Sequence, residues 1–105
     1  MLIAPLDSTR DLLAIGPATP QVDRESGAHA LERGTDVPLY DVSLVMPIDG
    51  GNPLTMRVTV PQPGLTEAVD MGTKVKAIGL TLVTDVKNGR AWYVYKASAL
   101  KIVKG

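Results

Sequence analysis

Two runs of apolar–polar alternation flank a turn-forming tetrapeptide, and together they commit the middle of this chain to β-structure. Tyr40, Val42, Leu44, Met46 and Ile48 alternate with Asp41, Ser43, Val45 and Pro47. After the turn, Leu54, Met56, Val58 and Val60 alternate with Thr55, Arg57 and Thr59. A period of two is that of a strand with one buried face. Between the runs, Asp49-Gly50-Gly51-Asn52 supplies residues that accept a positive φ, so the chain reverses tightly. A second pair of strand-like blocks, residues 74–86 and 90–103, is joined by Asn88-Gly89. That dipeptide is favoured in two-residue hairpin turns.

Between the hairpins, residues 61–63 end the first pairing, because proline brings no amide to a ladder. Residues 65–71 are predicted to form a short helix, with Thr66 as cap, Glu67 at the positive end of the dipole and Gly72 as the stop. Upstream, Leu12, Leu13 and Ile15 read as a strand or a short helix, and Pro17 and Pro20 confine the chain beyond them. An edge strand is expected around Ser26-Gly27, and a turn at Arg33-Gly34-Thr35-Asp36. A length of 105 residues suits one domain with one modest core. The expected division is a partly mobile N-terminal segment over 1–20 and a single β-barrel domain over 21–105.

Composition removes several kinds of chemistry. With no cysteine there is no disulfide scaffold, thiolate metal site or cysteine nucleophile. His29 is a lone histidine in a polar stretch, and Asp23 and Glu25 lack a third ligand, so no metal site is expected. Gly50-Gly51 is not followed by Gly-Lys-Ser/Thr or by a helix, so it is a hairpin tip and not a phosphate loop. Ser8, Ser26, Ser43 and Ser98 have no recognisable base partner. The expectation is a non-enzyme without cofactors. No apolar run reaches the length of a membrane helix, and the N-terminus lacks a basic leader, so the default expectation is a cytoplasmic protein without membrane contact.

The neutral total charge conceals a strong asymmetry. Residues 1–72 carry four basic side chains against ten acidic ones, whereas residues 73–105 carry seven basic ones against Asp85 alone. Trp92, Tyr93 and Tyr95 lie in that basic third, leaving Tyr40 as the only other aromatic of the Phe, Trp and Tyr class. A sequence pI of about 6.5 confines any nucleic-acid binding to a local patch. With Asn88 and Gly89 in the loop, Lys87 faces Arg90, Asp85 faces Trp92, Val83 faces Val94 and Thr81 faces Lys96. Arg90, Trp92, Val94 and Lys96 then share one face, with an indole between cations, as a stacking platform with phosphate anchors requires. Tryptophan at this position reads equally as a core residue. The opposite face, with Ala91, Tyr93, Tyr95, Ala97, Val86, Thr84, Leu82 and Leu80, reads as the core side. Lys74 and Lys76 share parity with the apolar Ile78, Leu80 and Leu82, a conflict that a bulge or bend at Gly79 resolves.

The order strand, strand, short helix, strand, strand, with a weaker strand upstream, is that of an OB-fold: an all-β, five-stranded Greek-key barrel with one short helix between strands three and four. Leu65 and the stretch Gly72-Thr73-Lys74-Val75-Lys76-Ala77-Ile78-Gly79-Leu80 look like the fourth-strand entry of OB nucleic-acid binders. The chain also resembles small proteins encoded near replication genes on actinobacterial plasmids and integrative elements. The shared features are Asp23 and Gly27 in an Asp-x-x-x-Gly turn, Pro38-Leu39-Tyr40, Arg57-Val58-Thr59-Val60-Pro61, Gly79-Leu80 and Gly89-Arg90. That resemblance implies a relative of single-stranded DNA-binding proteins, although this chain has no phenylalanine and no acidic C-terminal tail. The leading expectation, from the basic and aromatic C-terminal hairpin, is sequence-tolerant binding of single-stranded nucleic acid, DNA ahead of RNA, with Lys74, Lys76, Lys87, Arg90 and Lys96 on phosphates and Trp92 stacking with help from a tyrosine. Tyr40 and Arg57 are the candidates on strands two and three, whose face such folds use. The alternative is a protein-interaction or accessory module, docking a protein partner or a second copy of itself, that uses Trp92 and Val94 as an apolar anchor.

Overall fold

Residues 39–61 fold into the hairpin that their alternation demands, and the rest of the sheet is assembled around it. The computed structural model describes residues 2–6, 9–23, 26–32, 34–48 and 50–103. Among them, nine strands join one strongly curled, barrel-like sheet: β1 (Leu2–Pro5), β2 (Leu12–Ala14), β3 (Thr19–Pro20), β4 (Leu39–Met46), β5 (Leu54–Pro61), β6 (Lys74–Ile78), β7 (Thr81–Lys87), β8 (Arg90–Lys96) and β9 (Ala99–Ile102). The order is β1-β7-β8-β5-β4-β2-β6-β9, with β3 also on β4. No helix among the described residues is long and apolar enough to cross a membrane.

In the central hairpin, Val42 and Leu44 of β4 and Met56, Val58 and Val60 of β5 turn inward and are shut off almost entirely from solvent. Tyr40 and Met46, at the strand ends, are half-buried, and Ile48 lies beyond the strand and is exposed. β2 lies antiparallel to both β4 and β6 and adds Leu12 and Ala14 to the core. The stretch around Leu12 is thus a strand, and it belongs to the sheet that was expected to begin only at residue 21. Farther along, Val22 bridges His29 and Leu31 bridges Pro38, so Ser26-Gly27 sits at a reversal and not in an edge strand. Of the expected turn at Arg33-Gly34-Thr35-Asp36, Arg33 lies outside the described residues, as does Asp49 of the central turn.

The C-terminal third is a single ribbon with a fold in it. The pairing runs from Lys87↔Arg90 through Thr81↔Lys96 and on from Ile78↔Ala99 to Val75↔Ile102 in one unbroken register. At the loop, Asn88 and Gly89 both have positive φ (54° and 75°), as the dipeptide predicts. Inward positions change parity within this register: Val75 and Ala77 are buried in β6, yet Leu80 is buried just before β7. The partner strand changes with it, from Leu100 to Ala97. The change happens at Gly79, whose φ of +67° is one that side chains disfavour. Opposite it, the amide and the hydroxyl of Ser98 both donate to the Ile78 carbonyl at 2.9 Å. The bend anticipated at Gly79 therefore exists. It turns Lys74 and Lys76 outward, and it also exposes Ile78, which parity alone groups with the core.

Beyond the crease, β7 and β8 project as a hairpin arm, and β1 lies along β7 from Leu2↔Thr84 to Pro5↔Thr81. The arm joins the central hairpin through two parallel pairs, Val58↔Tyr95 and Thr59↔Lys96, extended by the Ala97 amide donating to the Thr59 carbonyl at 3.0 Å.

The predicted helix at residues 65–71 is not present. A short 3-10 turn, Gln62–Gly64, precedes an irregular segment. Seven residues make too few hydrogen bonds to offset helix nucleation, and other contacts hold this segment. Val69 is buried in the core, the Gly72 amide donates to the Ala14 carbonyl, and Gly64 presses on the bend between β8 and β9. A Cβ at position 64 would lie 2.8 Å from the Ala99 Cα and closer still to the Ser98 carbonyl, both backbone atoms. Gly64→Ala is therefore expected to lower stability by about 2–3 kcal/mol, read as a shift in the urea midpoint followed by circular dichroism.

Candidate nucleic-acid interface

Asp41 is the one buried charged residue among the described residues, at 4% exposure, and its surroundings organise the outward side of the central hairpin. A buried carboxylate needs hydrogen-bond donors to replace water. Thr59 stands directly opposite Asp41 in the register, and its hydroxyl donates to Oδ1 at 3.0 Å. Arg57, one step along the same side of β5, donates from Nη2 to Oδ2 at 2.8 Å. Gln21, which follows β3, donates from Nε2 to both Asp41 Oδ1 and Thr59 Oγ1 at 3.4 Å. Only the tip of Arg57 is tied down: its side chain remains 73% exposed.

The arm walls one side of this network. Where β8 peels away from β5, a cleft of about 560 Å³ opens between Asp41, Arg57, Thr59 and Gln21 on one side and Tyr93, Val94 and Tyr95 on the other. A second cleft, of about 360 Å³, continues past Arg57 toward Ser43 and Thr19 and shares Asp41 and Arg57 with the first. Tyr95 packs on the core, and Tyr93 meets it edge to face with ring centroids 5.8 Å apart. Tyr93 is 66% exposed and Val86 is similarly open. The face read as the core side of the second hairpin is thus buried only at Leu80 and Ala97, and toward the tip Val86, Ala91 and Tyr93 are exposed.

The other predicted residues fall into three places. Thr59 pairs with Lys96, so the side of β5 that bears Arg57 continues onto the side of β8 that bears Lys96, Val94, Trp92 and Arg90. Trp92 is 39% exposed there, neither core nor fully displayed, and Lys87 lies opposite Arg90 at the tip. Lys74 and Lys76 lie elsewhere, on the outward side of β6, which β2 and β4 separate from β5. Lys76 is 3.7 Å from Asp11 and pairs across the sheet with Lys101. Tyr40 has the parity of the core residues, opposite to Arg57, and its ring meets that of His29 at 5.0 Å. The His29 Nε2 lies 2.7 Å from the Leu39 carbonyl, which gives the lone histidine a local structural partner. Among the described residues, no group of three or more His, Cys, Asp or Glu side chains is arranged to hold a metal.

Sequence reasoning passed over Asp41, Thr59 and Gln21, and placed Tyr93 and Tyr95 on the core side. The first two were within reach, since the central turn places Asp41 opposite Thr59 with Arg57 diagonal to it. Gln21 gave no local signal. Comparison with protein families, with curated proteins and with solved structures finds no match for this chain.

The network has a measurable structural role. Thr59→Val keeps the shape and the strand preference but removes one donor from a buried carboxylate, and is expected to cost about 1–2 kcal/mol in chemical denaturation. Thr55→Val, at an exposed position on the same side of β5, is expected to change stability by less than about 0.5 kcal/mol.

Proposed function

We propose that this protein binds single-stranded nucleic acid, in the first place DNA, through the outward side of β4 and β5 and the basic, aromatic arm beside it. The observation that carries the reading is the parallel pairing of β5 with β8. With β6 and β7 counted as one creased strand, and β8 and β9 as another, the pairings follow the order of a five-stranded OB barrel with β2 as its first strand. Binding in such barrels uses the outward side of strands two and three and the loops beside it. Here that side carries Arg57, the loop after β2 delivers Gln21, and the hairpin between strands four and five carries the rings and the cations Lys87, Arg90 and Lys96. Stacking is tolerant of base identity because every base has a π-face, and the cations follow the backbone. Lys74 and Lys76, on β6, belong to a separate surface and take a lesser part.

A second reading, a protein-interaction module, is favoured by one observation: Leu2, Val86 and Tyr93 are all exposed on the other side of the arm. Light scattering at low and high salt separates the two. A concentration-dependent dimer that ignores oligonucleotides supports the second reading.

Trp92 is the only tryptophan, so its fluorescence reports on the arm. Titration with single-stranded oligonucleotides is expected to quench it and duplex to leave it unchanged, with binding weakened by salt. Charge reversal of Lys87 and Arg90 together is expected to flatten the log–log salt slope by roughly 1.4, about 0.7 for each phosphate no longer neutralised. A slope and affinity unaltered by both reversals would remove the arm from the site.

A further inference from the structure

The cleft beside Asp41 has a chemistry distinct from the rest of the arm. Lys87, Arg90 and Lys96 are exposed cations suited to phosphates. Arg57 is not equivalent to them, because Asp41 Oδ2 lies 2.8 Å from its Nη2 and neutralises its charge locally. A phosphate drawn to Arg57 would meet the Asp41 carboxylate and be repelled. A neutral group would not. Arg57 keeps N–H donors beyond the one given to Asp41, on a side chain that is largely exposed, and it has no acceptor to offer. Tyr93, with its open ring, lines the same cleft.

We infer that this cleft holds one unstacked base that offers two adjacent hydrogen-bond acceptors to the tethered Arg57 guanidinium, and thereby gives the protein a preference at one position of an otherwise sequence-tolerant site. The inference rests on the single-strand reading above. Two bases meet the requirement: guanine through O6 and N7, and cytosine through O2 and N3. Thymine places a donor between its acceptors, and adenine sets its amino group beside N1 and N7, so a fork of donors meets a donor on either. Asp41 acts as a positioning residue that holds the fork in place and cancels its attraction for phosphate.

The test uses oligo-dT strands of equal length carrying one central dG, dC, dA or dT, with binding followed by anisotropy of the labelled strand and by Trp92 fluorescence. Strands with dG, dC or both are expected to bind about tenfold tighter than all-dT, and comparison of the dG and dC strands identifies which base is held. Arg57→Gln is expected to abolish that difference, so that all four strands bind alike, whatever affinity they lose in common. Asp41→Asn frees the Arg57 charge, and is expected to reduce the preference and steepen the slope by about 0.7, the increment of one more neutralised phosphate. A purely structural role for Asp41 would not steepen the slope. Equal binding of all four strands by the unaltered protein overturns the inference and leaves the single-strand reading standing. Absence of binding to any strand overturns both. A preference that survives Arg57→Gln assigns it to other groups and overturns the inference.

Discussion

The sheet depends on the crease at Gly79 and Ser98. In a straight ribbon of constant register, inward positions recur strictly every second residue, so Val75 and Ala77 would be buried only if Leu80 were exposed. The positive φ at Gly79 and the two donors that Ser98 directs at the Ile78 carbonyl lift this constraint. Below the crease the ribbon presents Val75, Ala77 and Leu100 to the core; above it, Leu80 and Ala97 continue the same core from the opposite parity. The crease also gives β8 its direction, so that it meets β5 in parallel over two residue pairs and then diverges. The cleft is the space left by that divergence.

Electrostatics inside and outside the cleft differ in kind. Asp41 is buried and fully partnered, and its Arg57 partner belongs half to the protein and half to the surface. On the arm, the cations stand in water, where their effect is long-ranged and screened by salt. The strong segregation of charge along the chain therefore separates further in space. Among the described residues, the lysines and arginine of the last third are divided between the arm and the paired strands β6 and β9, and of these only the arm adjoins the Asp41 network.

Much of this was legible in the chain. The alternation of Val42, Leu44, Met56, Val58 and Val60 specified the central hairpin and its buried face. Asn88-Gly89 specified the second register down to the pairing of Asp85 with Trp92. Even the crease was implied by the clash of parity between Lys76 and Leu80. The illegible parts depend on contacts distant in sequence. Residues 65–71 have helix-like local chemistry, but Val69 and Gly72 are held by the core and by Ala14. The pairing of β1 with β7 spans almost the whole chain. Tyr93 was read as core because a strand's pattern states which residues share a face, not whether a second layer covers it. The Asp41 network was half legible, since Thr59 and Arg57 are cross-strand neighbours whereas Gln21 arrives from a loop.

The unbroken register of the ribbon makes the reach of the arm a quantised property. Inserting two residues in β7 and two opposite them in β8 would carry the tip outward by about 6–7 Å and leave every existing side chain on its own face. Inserting a single pair would carry it half as far and invert the faces beyond the insertion. An insertion in one strand alone would force a bulge. Because Leu80 and Ala97 close the core at the base of the arm, changes made toward the tip leave its packing intact. A lineage of such chains could thus adjust how far the arm reaches, in steps of two residue pairs, while the curled sheet that holds it stays constant.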